Sequence, residues 1–314
     1  MATFAPEIPT AEQLQQQYPL SSVTADAIQL GRLELSEILS GSRDGLVAIL
    51  GPCAMTLARD IIDMEGDLLA QAENGHVGFL TLHRMPPWKP RSDPKQWHGL
   101  ESVQDTTEAA FRTIAERAAA TANVAIEIGH IPHLERYANR LTLGWIGSRH
   151  VEHDDLVEAV ALHDPSLPIG VKNGMDGSID IALAQVQRIN ELRGGAGAPA
   201  ILIYRGGSEI QTPEAWEAGY REALQRTAGR LIVDTAHGGE IAHHPIKDKK
   251  SVEGQEDCQA HVIQIAESHG EAPVAIISEA SSADSPTDPV MSFLKALDGS
   301  KQLHDIKMKA LVSV

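Results

Sequence analysis

Eight short apolar runs of this sequence each lead into charged or polar side chains whose types could do chemistry. The runs cover residues 45–53, 77–85, 123–128, 142–148, 168–174, 200–207, 230–237 and 274–280. The side chains at or just beyond their ends are Cys53, Arg84, Lys89, Arg91, Glu127, Ser148, Arg149, Lys172, Arg205, His237 and Glu279. These residues divide into a cationic set and a set suited to a metal.

The cationic set suits a ligand that carries more than one negative charge. Arginine binds phosphate and carboxylate groups through two parallel hydrogen bonds, and lysine acts as a point charge. Six such bases in one pocket would repel one another unless an anion neutralised them. The alternative is that each is an exposed surface base. The set comprises Arg84, Lys89, Arg91, Arg149, Lys172 and Arg205.

The second set combines a thiol, an imidazole and carboxylates: Cys53, His237, Glu279 and either Asp284 or Asp288. This mixture suits a borderline divalent ion such as Mn²⁺, Fe²⁺, Co²⁺ or Zn²⁺. The alternatives are a buried inert thiol for Cys53 and a hydrogen-bonded structural histidine for His237. Spacing along the chain does not decide between these readings, because the residues follow different strands.

The elements that must position these residues are predicted from the apolar runs themselves. Runs that are apolar almost without interruption are typical of parallel strands buried on both faces. Helical patterns lie between them, at 107–122, 155–163 and 181–193. Eight strand–helix units predict an α/β fold, a (β/α)₈ TIM barrel, whose functional residues gather at the carboxyl ends of the strands.

The domain organisation follows from the same patterns. Helical spacing of apolar residues before the first strand predicts an N-terminal helical extension over 1–44, followed by a catalytic barrel domain over 45–314. The polar stretch 243–257 predicts a loop after the seventh strand. A doubly wound open sheet is the alternative fold, although no GxGxxG or P-loop pattern follows the first strand.

Composition excludes several classes of protein. The 314 residues contain 43 acidic and 26 basic side chains, for a formal charge of −17, which disfavours nucleic-acid and anionic-membrane binding. No apolar run is long enough to cross a membrane, and the first residues do not resemble a signal peptide. Two cysteines do not form a disulfide framework, so we expect a cytoplasmic protein.

Seven motifs in order along the chain resemble the type I 3-deoxy-D-arabino-heptulosonate 7-phosphate (DAHP) synthase family. They are GPC (51–53), RMPPWKPR (84–91) with WHGL (97–100), IGSR (146–149), GVKNGMDG (170–177), RGG (205–207), VDTAH (233–237) and ISEA (277–280). The resemblance implies a metal-dependent TIM barrel. It also implies a transferase that joins phosphoenolpyruvate to erythrose 4-phosphate, releases phosphate and opens the shikimate pathway to the aromatic amino acids.

The resemblance implies a role for each matched residue. Cys53, His237 and Glu279 resemble the metal ligands, and Asp288 is a better match than Asp284 for the fourth. Mn²⁺ is the first expectation for the ion, with Fe²⁺, Co²⁺ or Zn²⁺ as alternatives. Lys89, His237 and Cys53 are the implied catalytic residues, with Lys89 or His237 as proton donor. The implied substrate-binding residues are Arg84, Lys89, Pro90, Arg91, Glu127, Ser148, Arg149, Lys172 and Arg205.

The aldehyde side of the site departs from the family pattern. The family's KPRTT is KPRSD here, which places Asp93 near an expected phosphate site, and the DPH-type segment after WHGL is missing. Two alternatives therefore stay open. One is a related synthase of specialised metabolism that uses phosphoenolpyruvate and a different phosphorylated aldehyde. The other is a non-catalytic regulatory barrel. By analogy with the family, we expect a homo-oligomer, either a dimer or a tetramer.

Overall fold

The apolar runs of the sequence form strands that are buried on both faces. In the computed structural model, which describes residues 9–55, 59–74, 76–88, 106–148, 154–243, 252–281 and 289–312, they close a parallel barrel in the order β1 to β8. The strands are β1 Leu46–Pro52, β2 Phe79–Arg84, β3 Val124–Glu127, β4 Leu143–Gly147, β5 Ile169–Lys172, β6 Ala200–Tyr204, β7 Leu231–Asp234 and β8 Ala275–Ser281. Pairing of β1 with β8 confirms the TIM barrel and excludes the open sheet.

Helices surround the barrel and join successive strands. They are α1 Ala11–Gln17, α2 Ser22–Ser40, α3 Arg59–Glu73, α4 Thr107–Thr121, α5 Ile131–Tyr137, α6 Asp154–Leu162, α7 Asp180–Leu192, α8 Pro213–Arg226, α9 Glu240–His243, α10 Val252–His269 and α11 Pro289–Val312. Within the described residues, none of the helices combines the length and apolar composition needed to cross a bilayer.

Two apolar cores lie on opposite faces of the strands. The outer core packs the strands against the surrounding helices. The inner core fills the barrel with every second strand residue, as the alternation of side chains along a strand requires. Its strand members include Val47, Ile49, Leu80, Leu82, Ala125, Leu143, Trp145, Ile201, Ile203, Ile232, Ala275 and Ile277.

Helix α2 covers the end of the barrel at which the strands begin. Its residues Leu35, Ile38 and Leu39 join the inner core, so they pack on the side chains that fill the barrel. The helix begins where the Ser21 hydroxyl accepts a hydrogen bond from the Thr24 amide, and it ends at Gly41 in the left-handed conformation. The segment that precedes the barrel therefore closes its amino end.

Arg32 fixes α2 to the barrel through a buried network. Its guanidinium lies 2.8 Å from Asp164, and it donates to the Ser166 hydroxyl at 2.8 Å and to the Leu141 carbonyl at 2.7 Å. Burial alone would raise the pKa of Asp164, but Arg32 and the Ser166 hydrogen bonds outweigh burial and lower it. The pair therefore stabilises the fold in its charged form.

One predicted loop is partly helical. Residues 252–257, placed in a loop by their polar composition, form the first turns of α10, and His243 ends α9. The helix forms because Val252, Gln255 and Gln259 recur at helical spacing and are buried. Residues 244–251 of the predicted loop lie outside the described part of the chain.

Replacing Asp164 with asparagine is expected to lower the free energy of unfolding by about 1–3 kcal/mol at pH 7, because a charge-assisted pair is lost. The folded-state pKa of Asp164 lies below its unfolded value. Its contribution is therefore present above about pH 4 and lost as the pH falls through the folded pKa. Urea unfolding at pH 7 and at lower pH measures the free energy of unfolding of wild type and variant. The difference between the two should narrow as the pH falls.

Asp180→Asn is the matched control, since Asp180 pairs with Arg226 on an exposed surface. We expect it to change the free energy of unfolding by less than about 0.5 kcal/mol. An equal loss of unfolding free energy in both variants would contradict the role of Arg32 and Asp164 in holding α2 to the barrel. A loss in Asp164→Asn that does not depend on pH would also contradict it.

Candidate active site

The alternation that fills the barrel with apolar side chains also builds a layer of charges at its carboxyl end. Each of six strands carries an ionisable side chain two residues beyond its last interior position. The alternation along the strand turns this side chain toward the barrel axis. This charged layer consists of Arg84, Glu127, Lys172, Arg205, Asp234 and Glu279, each no more than 8% exposed.

The carboxylate of Glu279 joins two neighbours within the charged layer. Its Oε1 atom lies 2.7 Å from Nη2 of Arg84 and 2.6 Å from Nε2 of His237. The Arg84 guanidinium also donates to the backbone carbonyls of Pro52 and Cys53. His237 Nε2 and Glu279 Oε1 lie at hydrogen-bond distance, and these two atoms would repel each other without a proton between them. The two groups therefore share one proton at this contact.

Asp234 holds the opposite edge of the same imidazole. Its two oxygens lie 2.9 and 3.1 Å from Nδ1 of His237, and one of them lies 2.6 Å from Nζ of Lys172. Burial alone would raise the pKa of Asp234, but His237 and Lys172 outweigh burial and hold it well below its usual range. The carboxylate is therefore ionised and fixes the orientation of His237.

One indole contacts both buried cations. Trp145 on β4 has its ring centroid 5.6 Å from the Arg84 guanidinium carbon and 5.7 Å from Nζ of Lys172. The ring is fully buried and belongs to the inner core. Contacts of a cation with an aromatic face are favourable at this distance. Trp145 therefore stabilises both charges from the barrel interior.

The expectation of a mutually repelling cationic set is wrong for two of its members. Arg84 is neutralised by Glu279, and Lys172 by Asp234, within the protein itself. The reason is that the partner carboxylates stand on neighbouring strands that are distant in sequence. An anion is therefore not required to balance these two charges.

Two glycines let the backbone pass close to these side chains. Gly51 has a φ of +154°, and a Cβ atom there would lie 2.2 Å from the Arg84 carbonyl oxygen. Gly238, directly after His237, has a φ of +132°, and its Cβ atom would lie 2.5 Å from the Arg205 carbonyl oxygen. A side chain at Gly51 would push against the strand end that carries Arg84, and one at Gly238 against the strand end that precedes Arg205.

The donor chemistry fits the divalent ion predicted for Cys53, His237 and Glu279. The three residues stand at the ends of adjacent strands, since β8 pairs with both β1 and β7, and each is no more than 8% exposed. A carboxylate behind the imidazole, here Asp234, is a common support of metal-binding histidines. An ion would displace the proton between His237 and Glu279, because ligands bind metals deprotonated.

The three predicted ligands are not gathered as tightly as a bound ion would need. Among the described residues, one group of three potential metal ligands has its ligand atoms all within 4.8 Å of one another. That group is His76, His304 and Asp305. Cys53, His237 and Glu279 therefore do not meet this distance together in this structure, and their role as a metal site stays a prediction.

Other predicted substrate-binding residues lie at the same rim. The Arg205 amide donates to Oδ1 of Asn173 at 2.9 Å, and the amide of Ser148 donates to the Lys172 carbonyl at 2.8 Å. The Ser148 hydroxyl is buried and has no hydrogen-bond partner among the described residues. Glu127 ends β3. Since β3 to β6 are successive parallel strands of the closed barrel, all four strand ends lie at one mouth.

Several predicted site residues fall outside the part of the chain that the structure describes. They are Lys89, Pro90, Arg91, Arg149 and both candidates for the fourth metal ligand, Asp284 and Asp288. Their roles stay predictions.

Sequence reasoning missed three residues that organise the site: Asp234, Trp145 and Gln255, whose Oε1 atom accepts a hydrogen bond from the Glu279 amide at 2.9 Å. Asp234 did have a signal, because an acid interrupts an otherwise apolar strand three residues before His237. Trp145 had none, since an indole within an apolar run is typical of any core. Gln255 lies in the stretch predicted to be a loop.

Comparison with known proteins agrees with this architecture. The phospho-2-dehydro-3-deoxyheptonate aldolase of Corynebacterium glutamicum is 25% identical over 270 residues, which are 76% of this chain and 71% of that protein. The tyrosine-inhibited aldolase of the same name from Schizosaccharomyces pombe is 24% identical over 280 residues, or 79% of this chain and 73% of that protein. The similarity extends along most of both chains.

A solved structure gives the same fold over nearly the whole chain. The phospho-2-dehydro-3-deoxyheptonate aldolase of Francisella tularensis SCHU S4 has a TM-score of 0.74 and covers 98% of this chain and 99% of its own, at 17% sequence identity. The profile of the DAHP synthetase I family matches residues 15–267, which is more than half of the sequence. The chain belongs to the DAHP synthetase I family.

Proposed function

We propose that this enzyme joins phosphoenolpyruvate to erythrose 4-phosphate, giving DAHP and inorganic phosphate, through the groups at the carboxyl end of its barrel. The observation that carries the proposal is the buried chain Lys172–Asp234–His237–Glu279–Arg84, in which successive charged groups lie 2.6–2.9 Å apart. Such a chain orients an imidazole and a carboxylate rigidly beside two cations. Membership of the family supports the same reaction.

The cations of the charged layer form the phosphoenolpyruvate side of the site. Lys172 and Arg205 stand on adjacent strand ends and are almost fully buried. Arg84 and the undescribed Lys89 and Arg149 complete this set by resemblance to the family. Phosphoenolpyruvate carries a carboxylate and a phosphate, and arginine and lysine suit both groups. Since Asp234 and Glu279 already balance two cations, binding redistributes existing pairs.

The metal side of the site is formed by Cys53, His237 and Glu279, with Asp288 as the fourth residue by resemblance. A divalent ion held there supplies Lewis-acid polarisation of the aldehyde carbonyl. Asp234 holds a ligating His237 in the correct tautomer, with its proton on Nδ1. Mn²⁺ is the ion that we propose first, with Fe²⁺, Co²⁺ and Zn²⁺ as alternatives.

The reaction that these groups serve forms one bond between carbons. Carbon 3 of phosphoenolpyruvate attacks the aldehyde carbon, water adds to carbon 2, and the hemiketal phosphate then loses inorganic phosphate. A proton must reach the aldehyde oxygen. A His237 that ligates through Nε2 keeps its proton on Nδ1, which faces Asp234 and not the substrate. This orientation favours Lys89 over His237 as the proton donor.

Two further properties are proposed by resemblance to the family alone. We expect the protein to act in the cytoplasm and to form a homo-oligomer, a dimer or a tetramer. The KPRSD sequence supports a second candidate, a synthase that takes a different phosphorylated aldehyde, because Asp93 would repel the phosphate that the family places there.

We expect phosphate release from phosphoenolpyruvate when erythrose 4-phosphate is added. The release should fall to background with a chelator and return with added Mn²⁺. Cys53→Ala is expected to abolish the metal-dependent rate and to keep the far-UV circular dichroism of the barrel. The matched control is Cys258→Ala, because Cys258 is buried in the outer core and belongs to neither predicted set. Full turnover in Cys53→Ala would count against its role as a ligand.

The same assay distinguishes the alternatives when a panel of phosphorylated aldehydes is included. Release with another aldehyde and none with erythrose 4-phosphate would replace the proposed substrate. Tight binding of phosphoenolpyruvate without release from any aldehyde would identify a regulatory barrel and overturn the proposal.

Asp234→Asn is expected to weaken the apparent affinity for Mn²⁺ and the metal-dependent rate by roughly 10–100-fold, because the support behind His237 is lost. Titration of Mn²⁺ into chelator-treated protein measures the affinity, and phosphate release measures the rate. Asp180→Asn, on the exposed start of α7, is the control and should change neither. An unchanged Mn²⁺ requirement in Asp234→Asn would show that the carboxylate does not position the imidazole.

A further inference from the structure

A second group of potential metal ligands lies at the opposite end of the barrel from the charged layer. His76 stands just before β2, and His304 and Asp305 stand on α11. Their potential ligand atoms all lie within 4.8 Å of one another. Strand β2 runs from Phe79 near this trio to Arg84 in the charged layer, a distance of roughly 16 Å at about 3.3 Å per residue. The two sites are therefore separate.

The hydrogen bonds of His304 prepare it to bind a cation. Its Nε2 atom lies 3.1 Å from the carbonyl oxygen of Val77, and a carbonyl only accepts, so Nε2 carries a proton. Its Nδ1 atom lies 3.2 Å from Oδ1 of Asp305, and an ion bound at Nδ1 would replace any proton between these two atoms. Metal-binding histidines commonly donate their other ring N–H to a backbone carbonyl, as His304 does to Val77.

The surroundings of the trio pack against the two rings and leave the carboxylate exposed. His304 is 4% exposed, and the Phe79 ring lies against both imidazoles, with centroids at 5.5 Å from His304 and 6.1 Å from His76. The Asp305 side chain is 53% exposed. The histidines are therefore fixed by packing, while the carboxylate faces solvent, from which an ion could enter.

We propose that His76, His304 and Asp305 form a site for a divalent cation of the Zn²⁺ class at the amino end of the barrel. Two imidazoles and one carboxylate match the ligands that Zn²⁺ and Co²⁺ take in proteins. Three protein ligands leave a position for water. The proposal does not depend on the function of the charged layer.

This site lies between the segment before β2 and the last helix, α11, which are far apart in the sequence of the barrel. Helix α11 packs against β1, β8 and α3, and His304 bonds to the segment before β2. An ion shared by His76 and α11 would join the second strand to the last helix. We therefore expect the bound ion to stabilise the closed barrel.

The test uses Co²⁺ and Zn²⁺ as probes in the full-length, chelator-treated protein. Cys53→Ala removes the thiol of the other predicted site, and Co²⁺ bound without a thiolate gives visible d–d bands with no sulfur charge-transfer band. We expect Cys53→Ala to bind about one Co²⁺ with d–d bands alone. We also expect saturating Zn²⁺ to raise its Tm by roughly 2–5 °C.

Adding His76→Ala or Asp305→Asn to Cys53→Ala should weaken this binding at least tenfold and remove the Tm shift. Both positions are less buried than His304, so the test does not depend on a variant that could fail to fold. His269→Ala, an exposed histidine in the last turn of α10, is the matched control and should change neither reading.

The proposal is overturned if Cys53→Ala binds no Co²⁺ at millimolar concentration, since His304 would then be a structural hydrogen-bonding residue. It is also overturned if binding persists unchanged in both His76→Ala and Asp305→Asn. Loss of phosphate release in Cys53→Ala with this second site intact would leave both proposals standing, so failure of one is distinguishable from failure of the other.

Discussion

Charge neutrality inside the barrel is the constraint on which the rest of this structure depends. The alternation of side chains turns three cations and three carboxylates of the charged layer toward one buried space. Taking an unpaired ion out of water costs several kcal/mol, so each charge in such a layer needs a partner. Glu279 and Asp234 supply partners for Arg84 and Lys172, and His237 lies between the two carboxylates.

This arrangement connects stability with chemistry. The proton between His237 and Glu279 occupies the position at which an incoming cation would find two ligand atoms, and Arg84 remains paired with the same carboxylate. A divalent ion held by these residues would replace that proton within a site that is already polarised. In the proposed site, phosphoenolpyruvate would meet a Lys172 side chain whose direction is already fixed by Asp234 and Trp145. Such preorganisation reduces the rearrangement needed during the reaction.

The two ends of the barrel have different tasks. At the amino end, α2 places Leu35, Ile38 and Leu39 on the inner core, and Arg32 holds the helix there. This apolar closure gives the strands a fixed lower boundary.

Much of the fold could be predicted from the sequence because the strands are apolar on both faces. The predicted runs and the observed strands agree within three residues at each end. The overrun at 230–237 has a simple cause, since the residues after Asp234 stay buried although the strand has ended. The loop predicted over 243–257 failed at 252–257, where buried residues at helical spacing lie among polar ones.

The candidate site was only partly predictable, because pairing between strands is not written in local sequence. Arg84 and Glu279 are 195 positions apart, so their neutralisation could not be inferred from either neighbourhood. Residue types at strand ends indicated which chemistry to expect. The orientation of His237, which depends on Asp234, required the folded barrel.

We infer that His237 and Glu279 give up their shared proton to hold a cation beside Lys172 and Arg205, the proposed phosphoenolpyruvate-binding cations. Anomalous diffraction at the manganese edge, from crystals soaked with Mn²⁺ and phosphoenolpyruvate, tests it most directly. We expect a manganese peak in contact with Cys53, His237 and Glu279, with phosphoenolpyruvate density at Lys172 and Arg205. Phosphoenolpyruvate bound at the rim with no manganese there, and His237 still hydrogen-bonded to Glu279, would contradict it.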